Sequence, residues 1–455
     1  MRAFTLSVIT FMLLACVLTA TPNSPKTNPT QPTPAETSLV PANPQATGAQ
    51  TNAPASMIRY VPGSTQKICQ LVGETDREFN KPTVNQTETR FGLVGNDLGY
   101  SFEHNGKLFF LFGDSMPTAT FNGKPNLGKD PPRTPDDNDA IAFSTDATIS
   151  QCLKLNFITD SIGAYKNPVV LNAQGQPAIT LRAFEIPVAG ISDNGKMYVI
   201  FATNHNGAFA TRTVVGESDD SANTFHYLYD FSKGADAKFI NVAIASSTDG
   251  YLYFWGTQGG NLYRKSPPFL ARKPIGSMNS LNGIEYFHAV NSDGMPVFMP
   301  DENDATPLFH DMAQQQIADC MGELGVEWNP FIKRWVMLYN CLNDTSANPR
   351  GIYMRLASQP WGPWSAAQTI FNPITDNGYC HFMHRAVNAQ NPTACDNLSD
   401  PGRLDVSGGE YAPYFISRFT TGDAASATST FYYTLSTWNP YTEVIMKTTI
   451  QGQMS

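Results

Sequence analysis

Positive charge is scarce in this chain of 455 residues. Lys and Arg number 30 against 39 Asp and Glu, charged residues make up 15% of the total, and the formal net charge is −9. Typical soluble domains carry roughly 25% charged residues. A nucleic-acid surface needs clustered Lys and Arg, so this balance argues against a nucleic-acid partner.

Several signatures of catalytic and metal chemistry are also missing. The chain has no GxSxG elbow for a serine nucleophile and no GxxxxGK[ST] loop for phosphates. It has neither the CxxC nor the HxxxH spacing of a zinc site. We therefore predict no metal centre and no cofactor, and leave open a structural cation in the central channel of the fold described below.

The only long apolar segment is Phe4 to Ala15, which is too short to span a bilayer and is typical of a signal peptide. It ends in Leu-Leu-Ala before Cys16, which resembles the lipobox of bacterial lipoproteins, in which the cysteine is acylated. We predict a lipoprotein-type signal peptide in residues 1–20. The alternative is an ordinary secretion signal cleaved near Ala20. The expected location is the bacterial cell envelope, with a lipid on Cys16 as the membrane contact, or the exterior.

Residues 21–57 are mostly Pro, Thr, Ala, Asn and Gln, with few large apolar side chains. Such a segment cannot bury enough surface to offset its ordering entropy, so we predict a disordered tether. Residues 58–455 would then form the folded domain. The sequence does not predict its oligomeric state.

Six cysteines remain besides Cys16, and an even number in an exported protein indicates disulfides. Six cysteines can pair in many ways. We favour pairs that are neighbours in sequence, namely Cys69–Cys152, Cys320–Cys341 and Cys380–Cys395.

One kind of strand recurs five times between residues 95 and 445. The copies are GKLFFLFGDS (106–115), GKMYVIFATN (195–204), GYLYFWGTQG (250–259), KRWVMLYNC (333–341) and STFYYTLSTW (429–438). Aromatic and β-branched runs bounded by turn formers are typical of strands buried on both faces. Repeated hairpins indicate a propeller or solenoid. We predict an all-β, five-bladed β-propeller with four-stranded antiparallel blades; a β-sandwich with coincidental repeats is the alternative.

Two of the copies align without a gap at an offset of 226 residues. GNDLGYSFEHNGKLFFLFGDS (95–115) lies over MGELGVEWNPFIKRWVMLYNC (321–341). This alignment places Asp97 on Glu323 and Gly99 on Gly325.

The first copy contains Asn105-Gly106 between two strand-like runs, the strongest signal for a two-residue hairpin. In such a turn His104 faces Lys107, and paired residue numbers sum to 211. Asp97 and Asp114 satisfy this sum, so we expect them to face each other directly, with Cβ atoms about 4.5–5.5 Å apart. Like charges at such a position are destabilising, which favours a functional reason for the pair.

Two neighbouring carboxylates push one pKa upward and can supply an acid and a nucleophile at the same pH. Retaining glycosidases place their two carboxyl groups about 5–5.5 Å apart, so the hairpin favours retention. The structural alternative is that Asp114 caps a turn with Ser115 while Asp97 bonds the backbone near Gly95 and Gly99. Sequence does not assign the two roles; an inner-strand position slightly favours Asp97 as the nucleophile.

Further acids precede comparable strands in other blades, and the inner strands of a propeller converge on one channel. Candidate substrate-binding residues are Glu323, Glu185 and Glu410 from these positions, Arg133 and Asp139 from the loop after the first hairpin, and His384. Each of the strand-associated acids could equally be a solvated loop acid, and Arg133 could be an ordinary surface ion-pair partner. His381 and His384 form only an i, i+3 pair, a spacing more often structural or substrate-binding than metal-ligating.

The motifs GNDLGYSFEHNGKLFFLFGDS, GELGVEWNPFIKRWVMLY, QPWGPWS, EYAPYFISRFT and FYYTLSTWNPYTEVIMKT resemble one known family over most of residues 92–448. That family was long called a domain of unknown function and is now classed as glycoside hydrolase family 183, the endo-D-arabinanases. The resemblance implies a five-bladed propeller that cleaves inside α-D-arabinofuranan chains, such as those of arabinogalactan and lipoarabinomannan, with retention. It also implies that the catalytic aspartates are those matching Asp97 and Asp114.

Two rival functions stay open at this point. One is a hydrolase of another furanoside, such as L-arabinan or fructan, on the same propeller. The other is a surface lectin or adhesin whose acids bind sugar or calcium.

Overall fold

Antiparallel strands make up nearly all of the regular structure. The structure is a computed structural model that describes residues 58–126, 139–149, 151–205, 210–311, 319–341 and 351–452. These residues belong to one unit, Pro54–Ser455. The predicted signal peptide with Cys16, the predicted tether and Arg133 lie outside the described residues.

The described chain begins with two short strands that pair with its last strand. These are β1 (Ile58–Tyr60) and β2 (Gln66–Gln70). They are followed by a small hairpin of β3 (Thr75–Asp76) and β4 (Lys81–Pro82) and by helix α1 (Thr87–Phe91).

Blade 1 is a four-stranded sheet with a small accessory hairpin. In chain order this segment contains β5 (Leu93–His104), β6 (Lys107–Pro117), β7 (Thr120–Phe121), β8 (Lys124–Pro125), β9 (Ala140–Ser144) and β10 (Asn156–Phe157). Strands β7 and β8 pair with each other, and the remaining four form the sheet in the order β10-β9-β6-β5. The turn between β5 and β6 has positive φ at both Asn105 (48°) and Gly106 (75°), as the sequence predicts.

Blades 2 and 3 each have five strands. Blade 2 contains β11 (Val170–Leu171), β12 (Pro187–Asp193), β13 (Lys196–Thr203), β14 (Arg212–Ser218) and β15 (Phe225–Lys233). Blade 3 contains β16 (Asn241–Ser246), β17 (Tyr251–Thr257), β18 (Phe269–Pro274), β19 (Glu285–Val290) and β20 (Pro296–Met299). The sheet orders are β11-β15-β14-β13-β12 and β16-β17-β18-β19-β20.

Blade 4 has four strands in the described residues, and blade 5 includes both ends of the folded chain. Blade 4 contains β21 (Met321–Asn329), β22 (Arg334–Cys341), β23 (Gly351–Ala357) and β24 (Gln368–Phe371). Blade 5 contains β25 (Glu410–Phe415), β26 (Thr421–Asp423), β27 (Thr428–Trp438) and β28 (Tyr441–Gly452), joined by β1 and β2. Short 3₁₀ helices lie at Gly260–Leu262, Glu302–Asp304 and Ser417–Phe419.

The inner strands close into a ring. Strand β5 contacts β12, β12 contacts β16, β16 contacts β21, β21 contacts β25, and β25 returns to β5. The predicted five-bladed β-propeller is therefore confirmed. The five repeated segments are the second strands of the five blades, β6, β13, β17, β22 and β27.

The number of strands per blade varies more than the repeat suggested. Among the described residues, two blades have four strands, two have five, and blade 5 has six when β1, β2 and β26 are included. The extra strands lie at the outer edges or come from the chain ends, where the sequence has no copy of the repeat. Strand β11 also pairs parallel to β15 rather than antiparallel.

Apolar side chains of adjacent blades pack between the sheets, and the second strands are buried along most of their length. The three disulfides pair as predicted, Cys69–Cys152, Cys320–Cys341 and Cys380–Cys395. The first ties the entering strand β2 to blade 1 across 83 residues of chain. None of the helices in the described ranges has the length and apolar character needed to span a bilayer.

Candidate active site

Acidic and aromatic residues from three inner strands meet near the start of those strands. Asp97 belongs to β5, Glu323 to β21 and Tyr411 to β25, and all three are buried. The hydroxyl of Tyr411 donates to Oδ2 of Asp97 at 2.9 Å. The guanidinium of Arg264, from the loop after β17, lies 5.0 Å from the Tyr411 ring centre and pairs with Glu323. These contacts connect blades 1, 3, 4 and 5 at one centre.

The predicted pairing of Asp97 with Asp114 is wrong by one position. The register holds from His104–Lys107 to Tyr100–Leu111, and then a β-bulge at Gly99 shifts it. As a result Asp97 pairs with Gly113, and Asp114 lies one residue further along β6.

Gly99 is needed at this bulge for two reasons. Its φ is +68°, following Leu98 at +72°, so two successive residues adopt the left-handed region that glycine occupies most readily. A Cβ added at Gly99 would also lie only 3.0 Å from Oε1 of Glu443 in β28. Bulges of this kind are common next to active sites, where they redirect a side chain.

Despite the register shift at Gly99, the charge of Asp114 still affects the pKa of Asp97. Burial, and next the charge of Asp114, raise the pKa of Asp97 to about 7, although the hydrogen bond from Tyr411 opposes the rise. Oδ1 of Asp97 is buried and has no hydrogen-bond partner in the ranges that the structure describes. This oxygen lies towards Gly113, where an added Cβ would be 3.0 Å away. It therefore faces the segment that carries Asp114.

Asp114 is held by its backbone and by a loop of blade 2. Its own N–H donates to Oδ1 of Asp139 at 3.2 Å, and its Oδ1 accepts from the N–H of Phe184 at 2.7 Å. Burial raises the pKa of Asp114, while the Phe184 N–H and the nearby His205 partly offset the rise. The N–H of Asp139 donates to the side chain of Asn167 at 2.7 Å, which fixes Asp139 in turn.

Glu185 organises the loop that carries Phe184. Its carboxylate accepts hydrogen bonds from the Thr180 hydroxyl at 2.6 Å and from the N–H groups of Arg182 at 3.1 Å and His205 at 3.0 Å. Glu185 is buried, and its carboxylate is used by these hydrogen bonds within the protein. It thus positions the two residues that flank Asp114.

Glu323 is an ion-paired acid. Arg264 bonds both of its carboxylate oxygens, and the Tyr263 hydroxyl donates to Oε1 at 2.6 Å. Burial alone would raise the pKa of Glu323, but the charge and hydrogen bonds of Arg264 lower it below its ordinary value. Glu323 therefore carries a stable negative charge that anchors Arg264 against Tyr411.

The remaining predicted site residues are placed differently. Glu410 is the buried first residue of β25, directly before Tyr411, and pairs with Thr437. His384 is buried, with Nδ1 bonded to Asp396 at 2.6 Å and Nε2 to the Leu404 carbonyl oxygen at 2.9 Å. Neither ring nitrogen is left for a ligand, so the structure does not support His384 as a substrate-binding residue.

Several residues of this centre were not among the sequence candidates. They are Tyr411, Tyr441, Glu443, Arg264 and Phe184. Burial raises the pKa of Glu443 well above its ordinary value, and Glu443 accepts from the Ser436 hydroxyl at 2.8 Å beside the bulge. Tyr411, Tyr441 and Glu443 lie inside motifs that carry the family resemblance, which was the available signal. Arg264 and Phe184 have no such signal.

No group of site carboxylates in the described ranges has the spacing of a metal centre. The one cluster of suitable atoms found within those ranges is Cys380, Cys395 and Asp396, and the two sulfurs are joined in a disulfide.

The fold and the site define a five-bladed propeller whose first blade carries an electrostatically linked pair of acids, buried Asp97 and half-buried Asp114. The chain belongs to the family described as "Domain of unknown function (DUF4185)", whose model matches residues 83–447. None of the curated proteins matches the chain.

Solved structures with a similar fold include the following three. A protein of unknown function from Dyadobacter fermentans is 10% identical, with 86% of this chain and 100% of that chain covered and a TM-score of 0.40. An exo-β-1,3-galactanase from Phanerochaete chrysosporium is 9% identical, with 84% and 64% covered and a TM-score of 0.42. An α-L-arabinofuranosidase from Clostridium thermocellum is 11% identical, with 73% and 81% covered and a TM-score of 0.36. These scores carry no argument about activity.

Proposed function

We propose that this protein is a retaining glycoside hydrolase that cleaves internal α-D-arabinofuranosidic bonds of arabinans of the arabinogalactan and lipoarabinomannan type. The observation that carries the proposal is the pair formed by buried Asp97 and half-buried Asp114, in which the charge of Asp114 helps to raise the pKa of Asp97 to about 7. The class of substrate comes from the motif resemblance to the endo-D-arabinanases.

The environments of the two acids favour different roles. Asp97 has the large upward pKa shift, so it holds a proton near neutral pH and suits the acid that protonates the leaving oxygen. Asp114 receives a backbone N–H and lies near His205, both of which favour its ionised form, so it suits the nucleophile. This assignment reverses the slight preference that the inner-strand position of Asp97 suggested.

In the first step a carboxylate oxygen of Asp114 bonds to the anomeric carbon as the glycosidic bond breaks, and Asp97 gives its proton to the departing oxygen. In the second step Asp97 takes a proton from water, whose oxygen displaces Asp114 from the sugar. Tyr411 and the Arg264–Glu323 pair hold Asp97, while Asp139 and the Glu185 loop hold Asp114.

The proposed retention does not rest on the register of the hairpin. The separation argument used direct pairing across the hairpin, and the bulge at Gly99 removes that pairing. Retention now rests on the resemblance and on the linked titration of the pair. Proton NMR of the first-formed sugar would decide it, because a retaining enzyme releases the α-anomer from an α-linked chain before mutarotation.

The function is tested by incubating the purified protein with mycobacterial D-arabinan, plant L-arabinan and a fructan, and by separating the fragments by size. We expect oligosaccharides from D-arabinan alone. Cleavage of only L-arabinan or fructan would contradict the substrate and keep the reaction class. Binding to glycan with no cleavage of any of the three would support a lectin instead.

We also propose that the protein is exported and attached to the cell envelope through a lipid on Cys16. Labelling of cells with a radioactive fatty acid should mark the wild-type protein and leave a Cys16→Ser variant unmarked. Equal labelling of both would exclude this anchor.

A further inference from the structure

We propose that the exposed rings of Phe184 and Trp438 each hold a sugar ring of the substrate, on opposite sides of Asp114. A glycan would then cross blade 1 from blade 5 to blade 2 and would be cut at an internal bond. This inference rests on the proposed function and names the residues that position its substrate.

Phe184 lies directly beside one acid of the pair. Its backbone N–H donates to Oδ1 of Asp114 at 2.7 Å, while 49% of the residue is exposed to solvent. Its φ is +66°, which is rare for a bulky residue. Such a conformation persists only where the surroundings fix it.

The surroundings of Phe184 fix it firmly. The ring stacks on His205 with centroids 5.2 Å apart and planes 14° apart. Glu185 bonds the backbone on both sides, through the N–H groups of Arg182 and His205. A strained backbone and the buried carboxylate of Glu185 therefore hold an apolar ring in solvent next to Asp114. Exposing an apolar ring does not stabilise the fold, so stability alone does not explain this arrangement.

Trp438 occupies the corresponding position on the other side. It ends β27 in the hairpin of blade 5, and 47% of the residue is exposed. The guanidinium of Arg403 lies 4.1 Å from its ring centre, and Tyr441 contacts it edge-on at 6.2 Å. The Tyr441 hydroxyl donates to the backbone oxygen of Asp114 at 3.0 Å. Trp438 is therefore linked to Asp114 through a single intervening side chain.

The order of blades places the two rings on opposite sides of the acid. In the ring of inner strands β5 lies between β25 and β12, so blade 1 lies between blades 5 and 2. Phe184 precedes β12, and Trp438 is the last residue of β27, the strand paired with β25. A sugar chain bound to both rings passes over Asp114 with residues on each side of it, which is the geometry of internal cleavage.

A neutral glycan fits these rings better than a peptide or a lipid does. Exposed apolar side chains grouped around a polar centre mark ligand sites. Here the centre consists of hydrogen-bonding acids, and the flanking groups are two flat ring faces separated by blade 1. Sugar rings offer C–H faces for the aromatic side chains and hydroxyls for the acids.

The test compares Phe184→Ala, Trp438→Ala and their combination with the wild type on D-arabinan and on arabino-oligosaccharides of defined length. Phe184→Ala keeps the backbone N–H that reaches Asp114, so it removes only the ring. Trp328→Ala is the matched control, because Trp328 is also an exposed tryptophan (40%) but lies near the far end of β21, packed on Trp335.

We expect each single variant to raise KM about tenfold, with kcat within about threefold of the wild type. The cleavage position along the oligosaccharide should shift away from the side whose ring is lost. Trp328→Ala should have the KM and the cleavage position of the wild type. Phe184→Tyr keeps an aromatic ring and should have a KM close to that of the wild type. If Phe184→Ala does not fold, Phe184→Leu keeps the apolar volume without the aromatic face and should show the same rise in KM.

The outcomes separate this inference from the function itself. If the wild type cleaves D-arabinan and both ring variants keep its KM and its cleavage position, the inference is overturned while the function stands. A fall in kcat at unchanged KM in Phe184→Ala would also overturn the role of that ring, because it would mean that the ring only supports Asp114. If the wild type cleaves no arabinan, the proposed function and this inference fall together.

Discussion

The first hairpins of blades 1 and 4 share a sequence pattern and the same place in the ring, yet their acids have opposite surroundings. Asp97 of blade 1 lies near a second acid, and burial together with that acid raises its pKa to about 7. Glu323 stands at the same position of blade 4, where Arg264 lowers its pKa. The residue that aligns with Asp114 is Asn340. The repeat therefore places an acid at the same position in both blades, and the neighbouring charged residue determines whether the pKa of that acid is raised or lowered.

The two hairpins also differ in where the backbone bulges. In blade 1 the shift lies at Gly99, so Leu98 pairs with Phe112. In blade 4 Gly325 keeps the register of the turn and Leu324 pairs with Tyr339, the shift coming closer to Met321. The strand register at this point therefore differs by one residue between the two blades, and Asp97 and Glu323 lie at different heights along their second strands. Blade 1 thus differs from blade 4 both in its second aspartate and in a bulge that lies closer to the turn.

The largest expected effect is a loss of activity when either Asp97 or Asp114 is replaced, which we do not expect to be the main effect at Glu323. Asp97→Asn and Asp114→Asn should each lower kcat on D-arabinan at least about 1,000-fold, because each removes a group that the proposed steps require. Circular dichroism and glycan binding should stay as in the wild type. Initial rates of fragment release measure the effect, and near-normal rates in either variant would refute the assignment.

The matching change in blade 4 should act on stability. Glu323→Gln leaves the half-buried Arg264 without its partner charge, which should cost about 1–3 kcal/mol of unfolding free energy. Urea denaturation at pH 8 measures this cost. Asp97→Asn is the control and should not lower stability there, since it removes a buried charge that has an acid beside it. A Glu323→Gln protein as stable as the wild type would mean that the ion pair does not hold this centre together.

The two acids should also give opposite pH dependences of stability. The folded pKa of Asp97 is raised above its unfolded value, so the folded state binds the proton more tightly and loses stability as the pH rises from about 4 to about 7. The folded pKa of Glu323 is lowered, so its contribution is lost as the pH falls through that folded value. Activity should decline above about pH 7, as Asp97 loses the proton that it donates.

Denaturation midpoints of the wild type and Asp97→Asn at several pH values measure this difference. The gain in stability of Asp97→Asn over the wild type should grow between pH 5 and pH 8. A gain that is constant over this range would show that Asp97 does not titrate there.

The smallest effect separates the two glycines of the blade 1 hairpin. Gly106→Ala has open space for its Cβ and should lose only about 1–2 kcal/mol from the positive φ. Gly99→Ala has the same kind of φ and also meets Glu443, so it should lose more stability and lose activity as the bulge moves. Equal activity in the two variants would show that the bulge does not position Asp97.

Much of the fold follows from local patterns that the sequence displays openly. The five second strands and the Asn105-Gly106 turn were predicted because strand burial and turn geometry are short-range properties, and the three disulfides were predicted because the cysteines pair in sequence order. The register was correct from the turn up to Tyr100.

The bulge and the supports of the site depend on contacts between distant parts of the chain. The N–H of Leu98 bonds the hydroxyl of Ser436, 338 residues away, and Gly99 lies against Glu443 of the same blade 5. Arg264 reaches Glu323 and Tyr411 only once the ring has closed. No spacing within blade 1 could indicate these partners. The ring nitrogens of His384 likewise bond Asp396 and Leu404, which belong to a loop whose conformation the sequence does not show.

The division of labour between Asp97 and Asp114 is tested most directly by rescue with azide, using an arabino-oligosaccharide that has an activated aryl leaving group. With Asp114→Gly, azide should attack in place of the missing carboxylate and give a glycosyl azide of inverted configuration. With Asp97→Gly, azide should replace water in the second step and give the retained configuration. The absence of any glycosyl azide from both variants, alongside an active wild type, would contradict the account.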